Sequence, residues 1–377
     1  MTQSLIKTIE NAASWADEHR SVEALRAVLA ERGCYVYGAG GYGREVAAAV
    51  RGKGYVVHGF FDTFKGGGEL VDGLPCRRPA ELEGEAGAAL IVAINNFKVP
   101  VAEVVAWARG VPFAEIIFVA ELPDLLGREL GHYWQGERGL IRAEADTIAR
   151  FHAMLGDARS REILEQLVRF RISGRPEDHP EVDRDHQYFP VDLPLPQTAI
   201  SLVDCGAFPG DMLGSTAGAG LQLENWYAFE PDPANFRQLC EVAAGGGFKS
   251  GSLFPCGVGD ATGLVRFAEG AADASRAMGE DDAGAGVVVP IVRVDDVVHA
   301  DRIDMIKLDV EGFEAAAIDG MARLIGRHRP RLAIAIYHKP ADLWELAFKI
   351  DGMFPGGRYA IRQHGYNGYD TVLYVDF

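Results

Sequence analysis

The sequence predicts an α/β protein of two Rossmann-like domains joined by a helical, proline-rich segment. Three observations carry this. Strand-like and helix-like stretches alternate from 34 to about 125 and again from 199 to the end, the pattern of parallel sheets with helices on their faces. Each run opens with a glycine-rich turn between a strand and a helix, "YGAGGYGRE" at 37–45 and "DCGAFPGD" at 204–211. Between them "GRPEDHPEVDRDHQYFPVDLPLP" at 174–196 is rich in proline and charge, which breaks regular structure and marks a boundary. The expected domains are 1–130 and 198–377, with 131–197 as linker.

Residues 1 to about 30 read as an amphipathic helix pair. Then come a strand at 34–38, a helix at 43–51, a strand at 55–62, the turn "KGGGE", a strand at 88–95, a helix at 99–109 and a strand at 114–120. Ile148, Phe151, Leu155, Ile163, Leu164, Leu167 and Phe170 recur at helical spacing and make 142–172 a connecting helical segment. The second alternation predicts strands at 199–204, 225–230, 252–257, 287–293, 304–309 and 331–338. Helices are expected at 211–218, 233–244, 312–326 and 341–351, and a closing hairpin at 358–363 and 371–376.

At 377 residues, with 48% hydrophobic content, the chain is long enough for two cores. A formal charge of -17 and no basic stripe argue against a nucleic-acid footprint. Five scattered cysteines form no C-x-x-C pair and read as reduced core residues. The N-terminus lacks an apolar stretch with a cleavage site. No apolar run reaches the roughly 18 to 20 residues that span a bilayer. A soluble, cytoplasmic protein is expected, with small molecules and self-association as its partners.

Gly38, Gly40 and Gly43 fit G-x-G-x-x-G between a strand and a helix, and Asp62 stands where a ribose-binding carboxylate is expected after the second strand. Such a loop admits a pyrophosphate, although a tight turn kept for packing uses the same residues. The second loop differs in charge: Asp204 precedes it and Asp211 follows it, so it suits a sulfonium or ammonium group better than a pyrophosphate. Glu230, at the end of the next strand, suits the two hydroxyls of a ribose.

"VDCGAFPGD", "AFEPDPANF", "IDMIKLDVEGFEAAAIDG" and "LAIAIYHKPADLWEL", in that order, resemble FkbM-type S-adenosylmethionine-dependent methyltransferases over about 188–377. The resemblance implies a seven-stranded class I methyltransferase sheet that binds S-adenosylmethionine. The implied cofactor residues are Asp204, Gly206, Ala207, Gly210, Glu230, Pro231 and Asp309, with Asp204 and Gly206 near the methionine portion and Glu230 on the ribose. Phe208 and Pro209 stand where members often carry a smaller polar residue. The N-terminal part, about 33–120, is similar to nucleotide-sugar-binding domains of sugar acyltransferases, through "GAGGYGRE", Asp62 and the "AINN" strand end. That implies a nucleotide-sugar or dinucleotide site at Gly38, Gly40, Gly41, Gly43, Asp62 and Asn95, with Asn96 beside it.

The expected chemistry is O-methylation of a sugar or glycan precursor, which needs in-line positioning and a proton acceptor. "KLDVEG" puts Lys307 and Asp309 on a polar face of a central strand, with Glu311 just beyond, and "AIYHK" ends the next strand in His338. His338 is the expected general base, with Asp309 and Glu311 beside it, the alternative being a satisfied residue at the rim. Asp309 and Glu311 equally suit the start of the helix at 312, and the three could instead bind a divalent cation. His364 is a further candidate near the final hairpin. Ser275 and Arg276 lie in a Gly/Ala/Asp-rich excursion at 262–286 that suits a lid. The rival function is a nucleotide- or NAD-binding oxidoreductase centred on the first loop, with a non-catalytic C-terminal half.

Overall fold

The structure is a computed structural model that describes residues 2–82, 87–127, 130, 136–195, 197–268 and 286–377. Ser275 and Arg276 of the expected lid lie outside the described residues. The chain divides into two compact units, one of Met1–Ala153, Arg161–Val182 and Gly365–Tyr369, the other of Met154–Ser160, Asp183–His364 and Asp370–Phe377.

In the first unit, β1 (Cys34–Tyr37), β2 (Val57–Phe61), β3 (Leu70–Val71), β4 (Leu74–Arg77), β5 (Ala89–Val92) and β6 (Glu115–Phe118) form a sheet in the order β3-β4-β2-β1-β5-β6. All its pairings are parallel except β3 with β4. The β3/β4 hairpin was not expected from the sequence; it turns at Asp72-Gly73, whose φ values of 49° and 78° match the twist of a two-residue hairpin. The central strands Cys34–Tyr37 and Ala89–Val92 are buried throughout, which reflects cover on both faces. Leu25, Leu29, Val46, Val50, Val36 and Ile91 build one core layer, while Tyr35, Tyr37, Leu90, Val104 and Ala108 build the other.

The segment expected as a linker is folded into the units. It holds three helices, Arg138–Ala143, Ala145–Met154 and Ala158–Ser173, broken at Glu144 and around Gly156. Ile148, Phe151, Leu164 and Leu167 are fully buried, so this helical stripe is core rather than tether.

In the second unit, β7 (Ala199–Cys205), β8 (Gln222–Phe229) and β9 (Phe248–Phe254) are followed by β10 (Gly257–Val258), β11 (Gly263–Ala268) and β12 (Gly286–Val292), then by β13 (Met305–Leu308), β14 (Arg331–Ala335), β15 (Arg358–Gln363) and β16 (Thr371–Asp376). Seven of them form a sheet in the order β15-β16-β14-β13-β7-β8-β9, parallel except at β16. A separate three-stranded sheet, β10-β12-β11, holds the described residues on either side of 269–285. The single helix expected over 312–326 is two, Glu314–Gly320 and Ala322–His328, because Met321 leaves helical geometry at φ -124° and ψ 19°. Strand order reverses between β7 and β13, and ligands of open α/β sheets bind at the carboxyl ends of the strands on either side of such a reversal.

Among the described residues no helix is long and apolar enough to cross a membrane.

Candidate active site

The candidate site begins with a register. Lys307 of β13 lies directly beside Asp204 of β7, so both side chains leave the same face of the sheet. Both are buried, at 2% and 0% exposure. Lys307 Nζ sits 3.4 Å from Asp204 Oδ1, donates to the carbonyl of Gly206, and lies 5.4 Å from the centre of the Tyr188 ring. Asp204 Oδ2 accepts from Trp226 Nε1 at 3.1 Å. Burial, partly offset by Lys307, pushes the Asp204 carboxyl up to about 6. Burial also works against the Lys307 charge, but Asp204, Asp309 and Asp211 outweigh it and raise its pKa. The cation that Asp204 attracts is thus part of the chain: Asp204 and Lys307 support the loop from beneath.

That loop turns sharply. Gly206 has φ +76°, and a Cβ on it would lie 1.9 Å from the carbonyl oxygen of Asp309, so only glycine lets β7 and β13 approach here. The amides of Gly206 and Ala207 donate to the carbonyl of Phe229, at 3.0 and 2.9 Å. Phe208, at φ 47°, turns its amide onto Glu230 Oε2 at 2.8 Å, and Asp232 N–H takes Oε1 at 2.8 Å. This main-chain contact needs no particular side chain at 208. Gly210 is the left-handed residue before the helix Asp211–Gly218. Glu230 is 6% exposed and burial raises its pKa; Pro231 beside it is half-buried. Asp204, Gly206, Ala207, Gly210, Glu230 and Pro231 therefore gather at the carboxyl ends of β7 and β8.

Beyond β13 a second cluster forms. His338, whose side chain is 7% exposed, places Nε2 3.4 Å from Asp309 Oδ1 and 3.6 Å from Glu311 Oε2. Its Nδ1 is 2.8 Å from Glu314 Oε1, which also accepts the amide of Val310 at 3.0 Å. Tyr188 Oη donates to Asp309 Oδ2 at 2.9 Å. Glu311 holds a positive φ of 54° and leaves 40% of its side chain exposed. Asp309, Glu311 and His338 are thus brought together as the sequence suggests, but with a different proton balance. Burial alone would lower the His338 pKa, yet Glu314, Glu311 and Asp309 carry it up to about 10. With no cation bound, these carboxylates favour a proton on the ring. Glu314 is held below the usual carboxylate range because His338 and the Val310 amide outweigh its burial. Asp370, crowded by burial and Asp309, is pushed up to about 7.

Tyr188, Glu314 and Asp370 escaped the sequence reading. Glu314 alone carried a signal, as the acid three residues after Glu311 at a helix start. His364 sits elsewhere: its Nδ1 donates to the carbonyl of Asp183 at 2.5 Å, and its Nε2 accepts from Tyr374 Oη at 2.8 Å. Both nitrogens are engaged, so this is a satisfied core histidine, held neutral by burial that lowers its pKa to about 4.

In the first unit Gly38, Gly40, Gly41 and Gly43 run from β1 into the helix Gly41–Gly52. A Cβ on Gly43 would lie 1.8 Å from the carbonyl of Gly38. Asp62 Oδ2 accepts the amide of Ala39 at 2.8 Å, and Oδ1 accepts those of Phe64 and Lys65 at 2.8 and 3.0 Å. These amides overcome burial and lower its pKa. Asn95, past the end of neighbouring β5, has a buried Oδ1 with no hydrogen-bond partner among the described residues. The amide of Lys98 turns back onto Asn96 Oδ1 at 2.6 Å.

Comparison with curated proteins gives no match. Among solved structures the chain is similar to methyltransferase FkbM from Methylobacillus flagellatus KT, with TM-score 0.77, 22% identity and 100% of each chain covered, a likeness that establishes the fold. Residues 204–367 match the family model of the methyltransferase FkbM domain, a span that holds the second glycine loop, Glu230 and the His338 cluster, and this supports a methyltransferase.

Proposed function

We propose that the second unit transfers a methyl group from S-adenosylmethionine to a hydroxyl oxygen of a sugar or glycan precursor. The observation that carries this is the turn at Gly206–Gly210 with Glu230 beside it, at the carboxyl ends of adjacent strands and next to the Asp309, Glu311 and His338 cluster. Each Glu230 oxygen accepts one main-chain amide and keeps a lone pair for a ribose hydroxyl. Asp204, Gly206, Ala207, Gly210 and Pro231 shape the donor pocket, with Asp309 at its edge. Methyl transfer from a sulfonium is an in-line displacement, so most of the gain comes from holding donor and hydroxyl in line. As the new C–O bond forms and the C–S bond breaks, the hydroxyl proton must leave toward the carboxylates around His338. For the first unit we propose a nucleotide-sugar or dinucleotide at Gly38–Gly43 and Asn95. A module of that kind beside a methyltransferase favours a sugar-type acceptor, by association of folds.

The test is a calorimetric titration of the full chain with S-adenosylhomocysteine, the expected product. Saturable one-to-one binding is expected, lost in a Glu230→Ala variant that melts at the parent temperature. No binding to the parent chain would sink the proposal. Quenching of protein fluorescence by a nicotinamide cofactor would then favour the oxidoreductase alternative.

A further inference from the structure

We propose that Asp309, Glu311 and His338 bind a hard divalent cation, Mg2+ or Mn2+, with Glu314 locking the imidazole from behind. Asp309, Glu314 and His338 each bring a donor atom within 4.8 Å of the others. Glu314 engages Nδ1, so a cation would bind at Nε2 and displace the proton that the carboxylates otherwise hold there. That Nε2 belongs to a side chain 7% exposed, has no hydrogen-bond partner among the described residues, and points between Asp309 Oδ1 and Glu311 Oε2. Tyr188 occupies Asp309 Oδ2 and leaves Oδ1 for the site. The separations of 3.4 and 3.6 Å from Nε2 exceed the roughly 3 Å edge of an octahedron with metal–oxygen bonds near 2.1 Å, so Asp309 and Glu311 must both close in as the ion binds. A carboxylate behind the ring is the partner that fixes a ligating histidine's tautomer.

Charge favours the same occupant. Asp309, Glu311 and Glu314 surround one imidazole, and Asp370 lies close by. The nearby lysines are engaged elsewhere, Lys307 with Asp204 and the Gly206 carbonyl, Lys339 with the Gly312 carbonyl. A divalent cation offsets this excess of negative charge, and two carboxylates with one imidazole suit Mg2+ or Mn2+ better than a thiolate-seeking metal. Its function rests on the methyl-transfer proposal: a cation here would hold the acceptor hydroxyl and make it more acidic.

The experiment titrates the full chain with Mn2+ alone and follows the free ion by electron paramagnetic resonance. One Mn2+ per chain is expected, displaced by Mg2+. Glu311→Gln, at a side chain 40% exposed, should weaken binding at least tenfold. Glu314→Gln should weaken it by about tenfold through the ring. No saturable binding, or binding unchanged in both Glu311→Gln and His338→Gln, overturns the site. S-adenosylhomocysteine binding without Mn2+ binding also overturns it while leaving the methyl-donor proposal standing. Mn2+ binding without S-adenosylhomocysteine binding supports the site and removes its role in methyl transfer.

Discussion

In the first glycine loop Gly43 passes the carbonyl of Gly38, a contact internal to the loop; in the second Gly206 passes the carbonyl of Asp309, which directly follows the neighbouring strand β13. Both loops tie one amide to an acid at the end of the second strand, Ala39 to Asp62 and Phe208 to Glu230. Beneath the first, β1 is wholly apolar or aromatic in its buried Cys34–Tyr37 run. Beneath the second lies the buried pair of Asp204 and Lys307. Both turns are thus tied to neighbouring strands, but the first rests on an apolar strand, whereas the second rests on a buried ion pair and closes on the residue that follows the strand carrying the chemistry. A change under the second loop should therefore reach the active site, and a change in the first should not.

The largest expected effect breaks that connection. Lys307→Met leaves Asp204 buried and unpaired, which should cost about 3–5 kcal/mol in urea unfolding of the second unit. Adding Asp204→Asn should recover much of it, since a neutral pair has no charge to strand. Full loss in the double variant would mean that shape, not charge, is what the pair supplies.

An acid titration sharpens the comparison next. His364 is buried and neutral, its pKa lowered from 6.5 to about 4. Below pH ~6.5 the unfolded chain takes up a proton that the folded chain refuses. This contribution, on the order of 3 kcal/mol, is therefore present above that pH and lost as pH falls toward about 4. His179 of the first unit is lowered to about 4 by the same cause, so both units should weaken over one window. Replacing His364 with Gln should flatten the acid limb of the second unit alone, as read by melting temperature against pH.

Paired glycine substitutions separate the loops further. Gly206→Ala and Gly43→Ala should each destabilise their own unit by about 2 kcal/mol. Only Gly206→Ala should also abolish S-adenosylhomocysteine binding. Equal loss from both would show that the first loop takes part in the donor site.

The smallest effect concerns Glu230→Gln. An amide oxygen keeps one of the two main-chain bonds, so donor affinity should fall about tenfold with little change in stability. An unchanged dissociation constant would place the ribose elsewhere.

Much of this molecule is legible along the chain. The strand-to-helix glycine turns, the acids that follow the second strands, and the closing hairpin at 358–363 and 371–376 all depend on residues near one another in sequence. Short-range propensity and spacing specify such features. The polar face of "KLDV" is visible too, as a lysine and an aspartate where a central strand should be apolar. What tertiary structure alone decided is how those groups combine. Register placed Lys307 beside Asp204, which gave an acid expected at the ligand site a cation from the chain itself. Packing closed Glu314 and Tyr188 onto His338 and Asp309, 24 and 121 positions apart, and so set the protonation of the ring. It also buried the stripe expected as a linker. Burial and charge depend on every neighbour in space, and the order of residues names only the neighbours along the chain.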